Sequence, residues 1–361
     1  MNAADIARQR LARQHLIAPS TAGPVDVVQW LGAVQSQDYA GGKWAVGQRS
    51  ADATDDDIEQ AVADGRIVRT HVLRPTWHFV SARDLRWMLM LSEPRVHAAN
   101  ASMYRKLGLD RAVFKRSHAA IEKALAGGRQ LTRTELAAAL RRARVDTGDT
   151  VRMSGLMMAA ELDGVICSGA RRGRQFTYAL VDERVPPAAL PTRDEALREL
   201  ALRYFRTRGP ATVHDFAWWS GLTVADAKKG VEMQQPALHA ATVDGREHWF
   251  AEAQAPTKRR TRTAHLLPNF DEYFIGFKDR GAVLQAIRSM DTPAPFEALY
   301  AHVVAVDGQF VGGWRRSLDH DAVQVEVNLV TPLSATERRA VSAAARRYAS
   351  FLGLSLQEVD S

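Results

Sequence analysis

Residues 210–250 read PATVHDFAWWSGLTVADAKKGVEMQQPALHAATVDGREHWF, and the order of signals along them decides the fold. After Gly209-Pro210, residues 212–220 carry a helical pattern, Gly221 marks a tight turn, and residues 223–231 carry a second helix. Residues 241–243 and 248–250 then flank Asp244-Gly245, a pair that favours the two-residue turn of a β-hairpin. Helix, turn, helix and hairpin predict a winged helix, which offers its second helix to a DNA groove and its wing to the backbone.

The same order recurs upstream. Residues 131–141 and 154–162 predict two helices, the second ending at Asp163-Gly164, and residues 165–168 and 175–181 predict a wing. Its tip is basic: Arg171-Arg172-Gly173-Arg174. Nearer the N-terminus, residues 26–34, residues 55–63 before Asp64-Gly65, and the strand-like 67–80 make a third candidate. Ser or Thr precedes an acid by three residues at Ser81/Asp84, Thr132/Glu135, Thr192/Glu195, Thr223/Asp226 and Ser334/Glu337, the signature of a capped helix start. Pro186-Pro187 and Pro191 mark one boundary, and Lys258-Arg259-Arg260-Thr261-Arg262 marks another before a C-terminal α+β region. There, 301–306 and 309–314 flank Asp307-Gly308, and 323–330 alternates as a strand.

A chain of 361 residues exceeds what one core usually holds, so two to four modules are expected. With 46% apolar and 25% charged residues the composition is that of a globular protein, which excludes disordered and collagen-like classes. The single cysteine, Cys167, excludes an intramolecular disulfide and any multi-cysteine zinc site, and fits a reducing cytosol. No apolar run approaches the ~18 residues that span a bilayer, and residues 1–13 are too charged and interrupted for a secretory signal. A cytoplasmic, nucleoid-associated protein is the expectation.

The formal net charge is +7, and 40 of the 48 basic residues are arginine. Arginine presents a planar donor fork suited to phosphate and to the guanine edge, so a polyanion partner is favoured. A GC-rich genome inflates arginine and alanine equally well, so composition by itself leaves the partner open.

Four segments carry a family resemblance. They are Gln35-Ser36-Gln37-Asp38; Arg69-Thr70-His71-Val72-Leu73-Arg74-Pro75-Thr76-Trp77-His78; Leu267-Pro268-Asn269-Phe270-Asp271-Glu272-Tyr273 through Lys278-Asp279-Arg280; and Asp307-Gly308 to Val311-Gly312-Gly313-Trp314-Arg315. In this order and spacing the chain resembles the bacterial winged-helix DNA glycosylases that release bulky or crosslinking alkyl adducts, the AlkZ-like group. The resemblance implies three tandem winged helices in a C-shaped arrangement with a C-terminal β-barrel-like region. The fold class is then α+β, mainly helical, with modules at 1–100, 101–187 and 188–257 and the β-rich region at 258–361. It also implies a monofunctional glycosylase acting on N7-alkylated guanine in double-stranded DNA, as a monomer, with a link to self-resistance against DNA-alkylating antibiotics. The family's catalytic Gln-Φ-Gln motif, with Φ apolar, falls on Gln35 and Gln37; the middle residue departs from the pattern as Ser36.

Two glutamines suit such a reaction for a chemical reason. Glutamine does not titrate usefully, so it is no general base, but it accepts a hydrogen bond from water and donates two. An N7-alkylguanine is already cationic and leaves as a neutral purine, so only water placement and stabilisation of sugar charge are needed. Residues i and i+2 point to different faces of a helix, so Gln35 and Gln37 converge only if the helix ends by about Val34. Tyr39 and Gly41-Gly42 are compatible with that ending. Read without the family, the pair is a helix C-terminus with solvated amides. Asp38 is an alternative water acceptor, ranked lower because it faces away in extended chain.

Candidate DNA contacts are Arg69, His71 and Arg74, the wing tip Arg171, Arg172 and Arg174, the stretch Lys258, Arg259 and Arg260, and Arg315. Alternation puts 69 and 71 on one strand face, with Pro75 interrupting the run before His78; Trp77 is expected in the core. Asp271 and Glu272 read as a structural link pairing with Arg280 or Lys278, because adjacent carboxylates diverge. The Asp307-Gly308 turn reads as an ordinary hairpin, with entry into a groove as its alternative. No ligand spacing joins the histidines to carboxylates and no phosphate-binding glycine motif occurs, so neither metal nor cofactor is expected. A winged-helix transcription regulator and a metal-dependent nuclease stand as the competing functions. A regulator usually binds half-sites as a symmetric dimer.

Overall fold

Helix starts form where the capping pairs place them. Thr132 with Glu135 and Ser334 with Glu337 close reciprocal capping boxes on the helices Arg133–Arg142 and Ala335–Leu352. Thr192 and Glu195 do the same before Arg193–Arg208, and the Thr223 side chain accepts from Asp226 N–H ahead of Val224–Glu232. Ser81 caps Ala82–Lys106 by position only, without a side-chain bond. The structure, a computed structural model, describes residues 1–235, 237–252, 262–288 and 302–360. Its α+β elements group into two units, one of residues 1–58, 198–219 and 223–361 and one of residues 59–197 and 220–222.

In the first unit, the stretch that opened the reading forms the helices Val213–Ser220 and Val224–Glu232 and the antiparallel hairpin Leu238–Val243/Arg246–Ala251. Asp244 and Gly245 turn that hairpin with φ of 49° and 71°, the left-handed geometry a tight turn requires. The C-terminal region is a five-stranded sheet, curled as a half-barrel, in the order 355–360, 322–329, 309–318, 303–306, 264–267. All its pairings are antiparallel except that of 322–329 with 355–360. The helix Ala335–Leu352 lies against this sheet, where Tyr348 meets the rings of Trp44 and Trp314 edge-on, each at 5.1 Å.

Two turns of this unit bear on the readings made from sequence. Tyr39 and Gly41-Gly42 do not end a helix; they begin one, Tyr39–Gly47, capped by the Asp38 side chain. Its glycines serve close approach: a Cβ on Gly47 would lie 2.3 Å from the Phe351 ring, and one on Gly41 would lie 3.2 Å from Pro268. The Asp307-Gly308 tip is packed inside the unit, since a Cβ on Gly308 would meet the Tyr273 hydroxyl at 2.6 Å and Ala7 at 3.2 Å. That favours the ordinary-hairpin reading over groove entry.

The second unit is built on the long helix Ala82–Lys106 and the helices Arg111–Leu125, Arg133–Arg142 and Thr150–Leu162. Ile121, Leu125, Leu136, Leu140, Leu156 and Ile166 are fully buried at its centre. The strands Ile166–Ser168 and Thr177–Leu180 form the expected hairpin, and Leu131–Thr132 adds a third strand beside Thr177–Leu180. Ile67–Val72 pairs with Arg74–Ser81. The chain reverses at Leu73, with φ of 64°, so Pro75 sits inside the second strand and does not interrupt it.

Candidate active site and nucleic-acid contacts

The geometric condition on the two glutamines is met. The helix Pro24–Leu31 ends before them at Gly32, whose φ is 78°, and Val34–Gln35 is extended. Gln35 and Ser36 are buried and Gln37 is exposed. Asp38 is committed to the next helix, its side chain accepting from Gly41 N–H at 3.1 Å.

Buried charge holds this connection. The Gln35 N–H donates to Glu272 Oε1 at 2.9 Å. Glu272 Oε2 accepts from Arg208 Nη2 at 2.6 Å and from Trp219 Nε1 at 2.9 Å. Arg208 also donates to Leu31 O at 2.8 Å and Ala33 O at 3.1 Å. The Arg208 and Glu272 side chains are both fully buried. Next in sequence, Asp271 forms a bidentate pair with Arg49 at 2.7 and 2.8 Å and caps the turn Glu272–Ile275. The adjacent carboxylates therefore do diverge as a structural link, but their partners are Arg49, in the turn after Tyr39–Gly47, and Arg208, at the end of the helix Arg193–Arg208, in place of Arg280 or Lys278. Two indoles complete the frame, Trp44 donating to Leu266 O at 2.6 Å and Trp314 to Leu267 O at 2.8 Å. Beside it, Asn269 N–H donates to His302 Nδ1 at 2.9 Å. Burial, and the Arg316 charge, push the His302 pKa down to about 4, so that the ring is a neutral acceptor.

In the second unit, alternation holds for Arg69 and His71: both meet the Trp77 ring. The Arg69 guanidinium lies 4.5 Å from its centroid and the His71 ring 4.4 Å. Trp77 is half-buried, not core. Arg69 also stands 4.8 Å from the Phe176 ring centroid, and the Arg171 guanidinium lies 5.4 Å from the same centroid. His71 Nδ1 bonds the buried Glu161 carboxylate, and Arg69 and His71 are both buried. Arg74 lies on the returning strand, 3.4 Å from His78 Nε2.

The hairpin tip at 171–174 is more exposed. Arg171 pairs with Glu59 at 3.5 Å and Arg172 with Glu135 at 2.9 Å, while Arg174 is open to solvent. Arg315 is exposed on the strand Gln309–Leu318. Lys258, Arg259 and Arg260 lie outside the described residues.

Cys167 is buried, and burial pushes its thiol up to about 12, which removes it as a nucleophile. One cluster went unread in the sequence. Glu93 and His97, four residues apart on one helix face, meet Asp163, and their ligand atoms lie within 4.8 Å of one another. His97 Nε2 is 2.8 Å from Asp163 Oδ1 and its Nδ1 is 3.1 Å from the Tyr104 hydroxyl, so the group is already joined as an ion-pair network.

Comparison with known proteins gives this geometry its context. The family model for AlkZ-like DNA glycosylases matches residues 28–351. The interstrand DNA cross-link repair glycosylase of Streptomyces sahachiroi is 26% identical over 351 residues, covering 92% of this chain and 91% of that protein. The solved structure of Streptomyces sahachiroi DNA glycosylase AlkZ covers 99% of both chains with a TM-score of 0.79 at 24% identity, a likeness of fold. The chain belongs to the AlkZ-like DNA glycosylase family, enzymes that hydrolyse N-glycosyl bonds in DNA.

Proposed function

We propose that this glycosylase hydrolyses the N-glycosidic bond of N7-alkylated guanine in duplex DNA, including bulky and crosslinking adducts, as a monomer without a cofactor. The observation that carries the reading is that Gln35-Ser36-Gln37 lies in a pinned connection, extended at Val34–Gln35, between a helix that has ended and one not yet begun. Gln35 and Gln37 orient the attacking water through amide hydrogen bonds. The lesion's own positive charge makes the base a good leaving group, so no protonated acid is required. The repeated order of two helices and a hairpin supports winged-helix modules as the DNA-holding scaffold, with Arg69, His71, Arg74, Arg171, Arg172, Arg174 and Arg315 as candidate DNA contacts. Bulky substrates fit an open site better than a closed base-flipping pocket.

The charge argument supplies the test. Excision is compared between a duplex carrying one N7-methylguanine and one carrying its neutral, imidazole-ring-opened product. The reading predicts release of the cationic base and at least tenfold slower release of the neutral one. Equal rates would show that the enzyme protonates its leaving group, and the glutamine mechanism would be wrong.

A further inference from the structure

We infer that Glu272, held by Arg208 and Trp219, is a positioning residue that sets the direction of the Gln35 amide; the inference rests on the role proposed for Gln35. Leu31, Ala33 and Gln35 are alternate residues, and each gives one backbone group to this buried pair. Arg208 takes the carbonyls of 31 and 33, and Glu272 takes the N–H of 35. In extended chain the polar groups of residues i and i+2 lie on the same edge, so the ion pair serves 33–35 as a neighbouring strand would. Bonds at two points along one edge, Ala33 O and Gln35 N–H, and a third to the helix end at Leu31 O stop the segment from rotating about its own axis. The side chain of residue 35 leaves the backbone perpendicular to that edge, so its direction follows from the pair.

Charge matters as well as shape. Arg208 donates to two carbonyls and to Glu272 together, and its guanidinium lies 4.3 Å over the Trp219 ring that itself donates to Glu272. Glu272 can offer Oε1 to Gln35 because its other oxygen is saturated by Arg208 and Trp219. An amide at 272 keeps the size but has only one acceptor oxygen. It must leave either Arg208 or the Gln35 N–H without its partner.

The experiment is a double-mutant cycle on the full-length protein, with a duplex carrying one N7-methylguanine under single-turnover conditions. Glu272→Gln, Gln35→Ala and the double variant are compared for rate constant, DNA dissociation constant and melting temperature. Glu272→Gln is expected to slow excision roughly 10- to 100-fold, the effect of misplacing a group by about an ångström. DNA affinity should be unchanged, and the double variant should be no slower than Gln35→Ala. Trp219→Phe, which removes one donor to Oε2, takes the place of Glu272→Gln in the cycle if that variant does not fold, with a smaller loss and the same non-additivity. If Gln35→Ala is slow, and Glu272→Gln either multiplies that loss in the double variant or leaves the otherwise unchanged protein at full rate, positioning is overturned and the glutamine mechanism stands. If Gln35→Ala is as fast as the parent, both are overturned.

Discussion

Gln35 is buried and Gln37 exposed, so the two substitutions separate chemistry from folding. Gln37→Ala should slow single-turnover excision by roughly 10²-fold, as when a preorganised hydrogen-bonding group is lost, and leave the melting temperature unchanged. A parallel fall in melting temperature would make Gln37 structural. His302 gives a pH test. Its pKa is depressed in the folded state, so the native protein binds fewer protons than the unfolded chain between about pH 6.5 and about pH 4. The stability from this neutral ring is complete above about pH 6.5 and is lost as pH falls toward 4. His302→Asn, which keeps an acceptor for Asn269 N–H, should lose less stability than the parent between pH 7 and pH 5 in chemical denaturation. Identical slopes would remove His302 as a source of the pH dependence. The spacing of the glutamines was legible in the sequence; their unequal burial was not, because it depends on Glu272 and Arg208, 237 and 173 positions away from Gln35 along the chain.

Elements with their own local signals were the readable ones. Capping pairs and the Asp244-Gly245 turn state their structure within four residues, and they held where side-chain bonds form. Tyr39–Gly47 went unread as a helix, since three glycines lower helix propensity and their close approach to Phe351 and Pro268 is a matter of tertiary packing. Gly47→Ala should therefore destabilise the protein by about 1–3 kcal/mol despite its better helix propensity, since the new Cβ overlaps a buried ring. Thermal melting checks this, and a stabilised variant would mean that the Phe351 ring yields freely. The strand 74–81 carries the opposite lesson: Pro75 is tolerated because the reversal had already occurred at Leu73.

At the scale of the molecule, linear patterns describe neighbours and miss what folds together from afar. Arg10 donates to Pro210 O and Arg13 to Ala251 O, bonds spanning 200 and 238 residues. No periodicity announces such closures, so the joining of 1–58 with the C-terminal half into one unit was invisible in the sequence. Net charge was legible, and it predicts behaviour: the logarithm of the DNA association constant should fall linearly with the logarithm of salt. Arg174→Ala, at the exposed tip of the 166–180 hairpin, should shallow that slope by about 0.9 if it contacts one phosphate. An unchanged slope would take this hairpin off the DNA.

The central claim is that Gln35 and Gln37 drive metal-free hydrolysis of an N7-alkylguanine bond. Single-turnover assays in EDTA on duplexes carrying one N7-methylguanine, and in parallel one intercalator-linked N7 adduct, followed by hot alkali, test it most directly. The account predicts alkali-dependent strand breaks above the spontaneous background on at least one duplex, abolished in the Gln35→Ala/Gln37→Ala double variant. Breaks that persist in that variant, or none on either duplex with the parent protein, would contradict it.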